Sequence, residues 1–160
     1  RVRRVWLEPD DAPAFPPVIK ALLNADIIIV GPGSLYTSIL PNLLVRDLLA
    51  SIRVSRAIKI YINNIATQTG ETDSFNSHDH LQALESHIGE TLFDVILCNY
   101  NFEGELGPRS VWVRVDEETR SEERTYCADL LDDQHPWRHD SVKLAQTIMD
   151  IFYERTGPLS

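Results

Sequence analysis

The 160-residue chain carries 24 acidic against 15 basic side chains, a formal charge of −9. That balance excludes an electrostatic nucleic-acid binder, which needs a basic stripe. The longest purely aliphatic run, Ile27 to Val30, is far short of the ~20 residues a membrane-spanning helix needs. A hydrophobic fraction of 43 % is that of a folding globular chain, and the length suits a single domain over 1–160.

The first residues, Arg-Val-Arg-Arg, resemble no signal peptide and lack an initiator methionine, so the chain reads as a fragment, and its sparse cysteine content suits a cytoplasmic protein. Its two cysteines, Cys98 and Cys127, lie in apolar stretches and read as reduced core thiols. Val2, Val5 and Leu7 suggest a short strand that Pro9 ends. Pro16 and Pro17 open a helix with Val18, Ile19, Leu22 and Leu23 on one face. Asp26–Val30 is an apolar β-branched run stopping at Gly31, as a strand buried on both faces would be. Leu43, Leu44, Leu48 and Ile52 mark the next helix, and Ala57–Ile62 the next strand. A helix follows with Leu81, Leu84 and Ile88 inward and Gly89 as its stop, then a strand over Phe93–Cys98. This alternation predicts an α/β fold with a parallel sheet and right-handed crossovers.

After Asn99 the rhythm breaks. Residues 101–140 hold 11 acidic and 5 basic side chains. Val111, Val113 and Val115 alternate as an edge strand does, and Asp116–Arg124 reads as a charged solvated loop. A last strand is expected over Tyr126–Leu130. The closing helix starts at Asp140 with Val142, Ala145, Ile148, Met149 and Phe152 on its buried stripe.

Three segments have the composition of a ligand site. Gly31-Pro32-Gly33-Ser34-Leu35-Tyr36-Thr37-Ser38 leaves a buried strand. Its glycines allow close backbone approach, and its amides and the hydroxyls of Ser34, Thr37 and Ser38 suit an anion. It is neither a dinucleotide fingerprint nor a Walker loop; a tight turn capping the next helix has the same composition. The second segment, Asn63 to Asp73, also follows a strand. If the strands are parallel, both loops emerge at the sheet edge where ligands bind; a solvated loop with internal Asx and Thr turns is the alternative. Between residues 31 and 80 the acids Asp47, Glu71, Asp73 and Asp79 equal the bases Arg46, Arg53, Arg56 and Lys59, so a phosphorylated ligand is not repelled. The third segment is Arg138-His139-Asp140-Ser141. Asp140 suits an N-cap, and Arg138 beside it suits a phosphate clamp. His78-Asp79-His80 is no chelate on a helix, because residues two apart face different ways. Asp79 there suits a helix N-terminus, and His80 is a candidate to point into the cleft. No catalytic triad is legible, and catalytic residues are left unassigned.

Together the three segments carry a resemblance. Gly31 to Val45, GPGSLYTSILPNLLV, is similar to the signature of the gluconeogenesis-factor branch of the CofD-like (phospholactate-transferase-like) family. Asn64 to Asp73 resembles that branch's N-x-M-T-Q-P-G-E-T-D loop, with Ala66 and Thr69 in place of its methionine and proline. Asp79-His80 and Arg138-His139-Asp140 with Lys143-Leu144-Ala145 fit as well, whereas residues 100–126 match poorly and read as a variable charged insertion. The resemblance implies a Rossmann-like three-layer sandwich with a mainly parallel sheet, incomplete here because the family's N-terminal half is absent.

It also implies a function. The gluconeogenesis-factor branch binds uridine-diphosphate sugars and serves carbon metabolism, cell-wall synthesis and cell shape. The transferase branch instead moves a phospholactyl group from a guanosine-diphosphate donor to a deazaflavin acceptor, with a divalent metal as its cofactor. Carried over by position, Gly31, Gly33, Ser34 and Thr37 would hold phosphate. Asn64, Thr67, Gln68 and Asp73 would line the same cleft, and Arg138 would contact the nucleotide sugar. Tyr36 would stack on a base or sugar, or else pack in the core. Ser141 stands where a hydroxyl residue is open to phosphorylation, or else supports the helix cap. Half a domain would expose apolar surface along Val2–Leu7 and self-associate, so a homo-oligomer is a further expectation.

Overall fold

The computed structural model describes residues 2–157. Helix α1 (Pro16–Asn24) leads into β1 (Ile27–Val30). A π-helical turn (Leu35–Ile39) then runs into α2 (Leu40–Leu43) and α3 (Arg46–Val54). Next come β2 (Ile58–Ile62), α4 (Ser77–Ile88), β3 (Val95–Asn99), α5 (Glu117–Ser121), β4 (Thr125–Ala128) and α6 (Ser141–Thr156). The four strands form one sheet in the order β1-β2-β3-β4, every neighbouring pair parallel. Val30 pairs with Tyr61, Ile62 with Leu97 and Cys98 with Cys127, so the carboxyl ends of all four strands lie on one side.

Side chains alternate across the sheet and build two cores. Ile28, Val30, Tyr61, Ile96 and Cys98 pack with Leu35, Leu40, Ile52 and Leu84 under the π-turn and α2–α4. Ile60, Ile62, Val95 and Leu97 pack on the other face with Leu130, Leu144, Ile148 and Ile151 of the α6 segment. Helices on both faces of a parallel sheet make the three-layer, Rossmann-like α/β architecture. Each fully buried Leu or Ile contributes roughly 1.5–3 kcal/mol by leaving water. Helix α4 is closed at both ends by its own sequence. The Asp79 amide donates to Asn76 Oδ1 at 2.8 Å and the Asn76 amide to Asp79 Oδ2 at 3.0 Å. Gly89 ends the helix at φ 74°.

Several expectations are corrected. Residues 2–7 form no strand; Val2 and Val5 pack on the first core as coil, and the Val5 amide donates to His87 Nε2 at 3.1 Å. Strand β1 is not buried on both faces, because it is an edge strand and Ile29 is 46 % exposed. Val111–Val115 makes only an isolated antiparallel bridge, Ala66 with Trp112, and no ladder. Within Asp116–Arg124 the Asp116 carboxylate caps α5, accepting from the Thr119 amide at 2.7 Å. Arg124 ties the end of the same segment to Glu122 and Glu85. In α6 the inward residues are Leu144, Ile148 and Ile151, whereas Val142 and Met149 are exposed. Ala145 is exposed as well, and the buried stripe runs through Leu144, Ile148 and Ile151 at helical spacing. Both cysteines are free, but Cys127, on the edge strand β4, is exposed rather than in the core.

Candidate functional site

The loops after β1 and β2 do emerge together. A cleft of about 270 Å³ is lined by Pro32, Gly33 and Ser34, by Asn64, Ile65, Ala66 and Gln68, and by Trp137, Arg138 and His139. It sits at the carboxyl ends of parallel strands, where backbone leaves a sheet with unpaired polar groups and a ligand can take them up. Three segments far apart in the sequence thus share one wall.

Gly31 makes the first turn possible. It holds φ +93°, and a Cβ there would lie 2.9 Å from the Ile62 carbonyl oxygen. The turn closes on Ser34, whose carbonyl accepts from the Ser38 amide at 3.0 Å and the Ile39 amide at 2.9 Å. Ser34 Oγ accepts from Thr37 Oγ1 at 2.6 Å and donates to Glu71 Oε2 at 2.5 Å. Glu71, which links the first two loops, was not among the sequence candidates. Ser34 and Gly33 line the cleft, whereas Gly31 supports the turn from behind and Thr37 reaches the cleft only through Ser34. Tyr36 is 5 % exposed and packs edge-on to His87 with ring centroids 5.9 Å apart, in the core and away from the cleft.

The second loop divides. Asn63, buried at the end of β2, accepts from the Asn64 amide at 2.9 Å and donates to the Ser77 carbonyl at 3.1 Å. This directs Asn64 to Gln68 along the cleft wall. Beyond it the loop folds on itself: the Gln68 amide donates to Thr72 Oγ1 at 2.9 Å and the Gly70 amide to Asp73 Oδ2 at 2.8 Å. Thr67 is buried, its Oγ1 accepting from the Val111 amide at 3.0 Å. Thr67 and Asp73 therefore hold loop structure and are not brought to the cleft wall. His80 is fully buried as well, its Nδ1 2.9 Å from the Asn76 carbonyl and its ring edge-on to Phe75, so it does not point into the cleft.

The third wall is the segment before α6. Arg138 Nε donates to Asp132 Oδ2 at 2.9 Å, and its Nη2 lies 3.2 Å from His135 Nδ1. The guanidinium, with the Gln134 and His135 amides, holds the Asp132 carboxyl well down, to about 2. Arg138 is thus aimed but still 59 % exposed. Asp140 caps α6 through the Val142 and Lys143 amides at 2.8 and 2.9 Å, and Ser141 begins the helix beside it. Trp137, 57 % exposed at the rim and edge-on to His135 at 5.2 Å, is a flat apolar surface the sequence reading missed. His139 was also missed as a site residue: its imidazole lies beside the Asn63 carbonyl, and burial pushes it down to about 4, so it is neutral. Nothing local in the sequence distinguishes Trp137 from an ordinary surface residue, and His139, though within the third candidate segment, takes its role from the Asn63 backbone opposite.

Among the described residues no three carboxylate, imidazole or thiolate groups come together to hold a metal ion. No helix among them is long and apolar enough to cross a membrane.

Comparison with known proteins agrees with this architecture. Residues 1–155 match the family model described as 2-phospho-L-lactate transferase CofD. The gluconeogenesis factor of Bacillus subtilis is 36 % identical over 172 aligned positions, covering 96 % of this chain and 51 % of that protein. That of Listeria innocua is 47 % identical over 98 positions, 61 % of this chain and 30 % of that protein. The crystal structure of a UPF0052-family protein from Bacillus halodurans superposes with a TM-score of 0.82 at 35 % identity, covering 92 % of this chain and 50 % of that one. The chain spans about half the length of these relatives where they match it end to end. It belongs to the CofD-like family, in the branch whose members are named gluconeogenesis factors.

Proposed function

We propose that the cleft binds a phosphorylated small molecule of the nucleotide-sugar type, a uridine-diphosphate sugar, and that the protein serves as a ligand-responsive regulator linking carbon metabolism to cell-wall synthesis and cell shape. The observation that carries this is the convergence of the Gly33–Ser34 turn, the Asn64–Gln68 wall and the exposed Arg138 guanidinium on one cleft. A guanidinium held by Asp132 from one side keeps its other N–H groups for a phosphate. Trp137 offers a ring on which a base or sugar stacks. Gly31, Thr37, Thr67 and Asp73 act in this reading by shaping the loops, and Tyr36 by packing beneath them.

The second reading, a phospholactyl transferase using a guanosine-diphosphate donor, is favoured by the description of the matching family model. Calorimetric titration of the longest encoded form of the protein with UDP-N-acetylglucosamine and with GDP separates the two. The regulator reading expects uridine-nucleotide binding that Arg138→Ala weakens by about tenfold to a hundredfold, the worth of a charge-assisted hydrogen bond. Binding of GDP alone would replace it by the transferase reading.

A further inference from the structure

Two residues that line the cleft each carry a buried polar atom with no hydrogen-bond partner. Asn64 Oδ1 and His139 Nε2 are both buried and unpaired, and both residues line the cleft beside Arg138 and Ser34. The other unpaired buried atoms among the described residues have different settings. Tyr61 and His80 are sealed in the core, and the Thr119 hydroxyl lies against the Asp116 carboxylate. A buried polar atom left unpaired is costly, so a native structure rarely keeps two on residues lining one cleft unless something supplies the partner.

We infer that Asn64 and His139 form a neutral subsite which takes a hydrogen-bond donor of the ligand, a hydroxyl or an amide N–H, next to the phosphate. The inference rests on the reading of the cleft as a phosphorylated-ligand site and extends it to the uncharged part of that ligand. Neutral imidazole has one donor and one acceptor nitrogen. The backbone of Asn63 is the imidazole's polar neighbour, and a ring proton donated there leaves the unpaired Nε2 with a lone pair. An ionised phosphate has no proton to give to that lone pair or to a carboxamide oxygen. Sugar hydroxyls, a pyrimidine imide and an acetamido group all have one. Phosphate recognition therefore falls to Arg138 and the Ser34 turn, and the choice among phosphorylated compounds to Asn64 and His139.

The test compares pyrophosphate, UDP and UDP-N-acetylglucosamine as probes, by calorimetry on the longest encoded form and its His139→Phe and Asn64→Leu variants. Each variant is expected to lose about tenfold in affinity for a donor-bearing probe and to leave pyrophosphate within about twofold, while His139→Gln restores part of the loss. Loss already with UDP assigns the subsite to the nucleoside; loss only with the sugar nucleotide assigns it to the sugar. Equal losses on all three probes, or none on any, overturn the inference and leave the phosphate reading standing. A wild-type protein that binds none of the probes overturns both. Should the variants fail to fold, imidazole ¹⁵N spectra of the wild type decide. An unprotonated His139 Nε2 that moves upfield with UDP or UDP-N-acetylglucosamine supports the subsite; a protonated or unmoved one refutes it.

Discussion

The loops after β1 and β2 leave neighbouring parallel strands and are both rich in hydroxyls, yet they are built differently. The first is fixed by backbone geometry: Gly31 sits at φ +93° against the Ile62 carbonyl, and the turn closes through the Ser34 carbonyl. The second adds side-chain acceptors to its backbone turns at the Gln68 carbonyl, with Thr67 taking the Val111 amide, Thr72 the Gln68 amide and Asp73 the Gly70 amide. A polar loop is therefore no measure of a polar site. What a loop offers to a ligand is what remains after its own backbone has been satisfied. Here that remainder is Gln68 and Asn64 on one loop and the Gly33–Ser34 corner on the other.

The largest effect should come from the backbone-built loop. Gly31→Ala adds a Cβ 2.9 Å from a backbone oxygen at a positive φ. Strain and overlap together predict a loss of about 4 kcal/mol in urea unfolding. A loss below 1 kcal/mol, a rough lower bound for such strain, would show that the two loops are equally forgiving. Next is an acid response centred where the second loop meets His139. The folded protein holds this imidazole at about 4 against an ordinary 6.5. The unfolded chain therefore takes up the proton first, and stability present above pH 6.5 is lost as the pH falls towards 4, by about 3 kcal/mol in all. A stability curve flat over that window, or unaltered by His139→Phe, would contradict it.

Thr67→Val tests the side-chain-built loop more gently. It leaves the Val111 amide without its acceptor and should cost about 1–2 kcal/mol, with faster hydrogen exchange at Val111. The smallest effect is expected for Gly70→Ala. This glycine also holds a positive φ, +86°, but a Cβ would meet nothing within 4 Å, so about 0.5–1 kcal/mol is predicted. Equal losses for Gly31→Ala and Gly70→Ala would erase the contrast between the loops.

Much of the fold is legible in the amino-acid sequence. Each buried strand announces itself as a short β-branched run, and Ile27–Val30, Ile58–Ile62 and Val95–Asn99 lie within two residues of where those runs place them. The place of Asp79 at a helix N-terminus, the stop at Gly89 and the cap at Asp140 depend on neighbours three residues away or fewer, so local chemistry suffices to read them. The misreadings share a cause. Val111–Val115 alternates but meets only one bridging partner, Asp116 finds a cap where the composition suggests solvated loop, and Val2–Leu7 finds a core to lie on rather than a strand to pair with.

The site is half legible for the same reason. Ser34 can be nominated from a loop that follows a strand, Arg138 from its place before a helix, and Asn64 and Gln68 from the family resemblance, but the roles of Glu71, Trp137 and His139 depend on what lies opposite. The amino-acid sequence alone determined the alternation of buried strands and amphipathic helices, the parallel sheet and the turns that only glycine makes, because these follow from periodicity and local sterics. The tertiary structure alone decided which polar groups are used up and which face the cleft. Ser34 meets Glu71 across 37 residues and Thr67 meets Val111 across 44, and a hydrogen bond is settled only when both partners are in place.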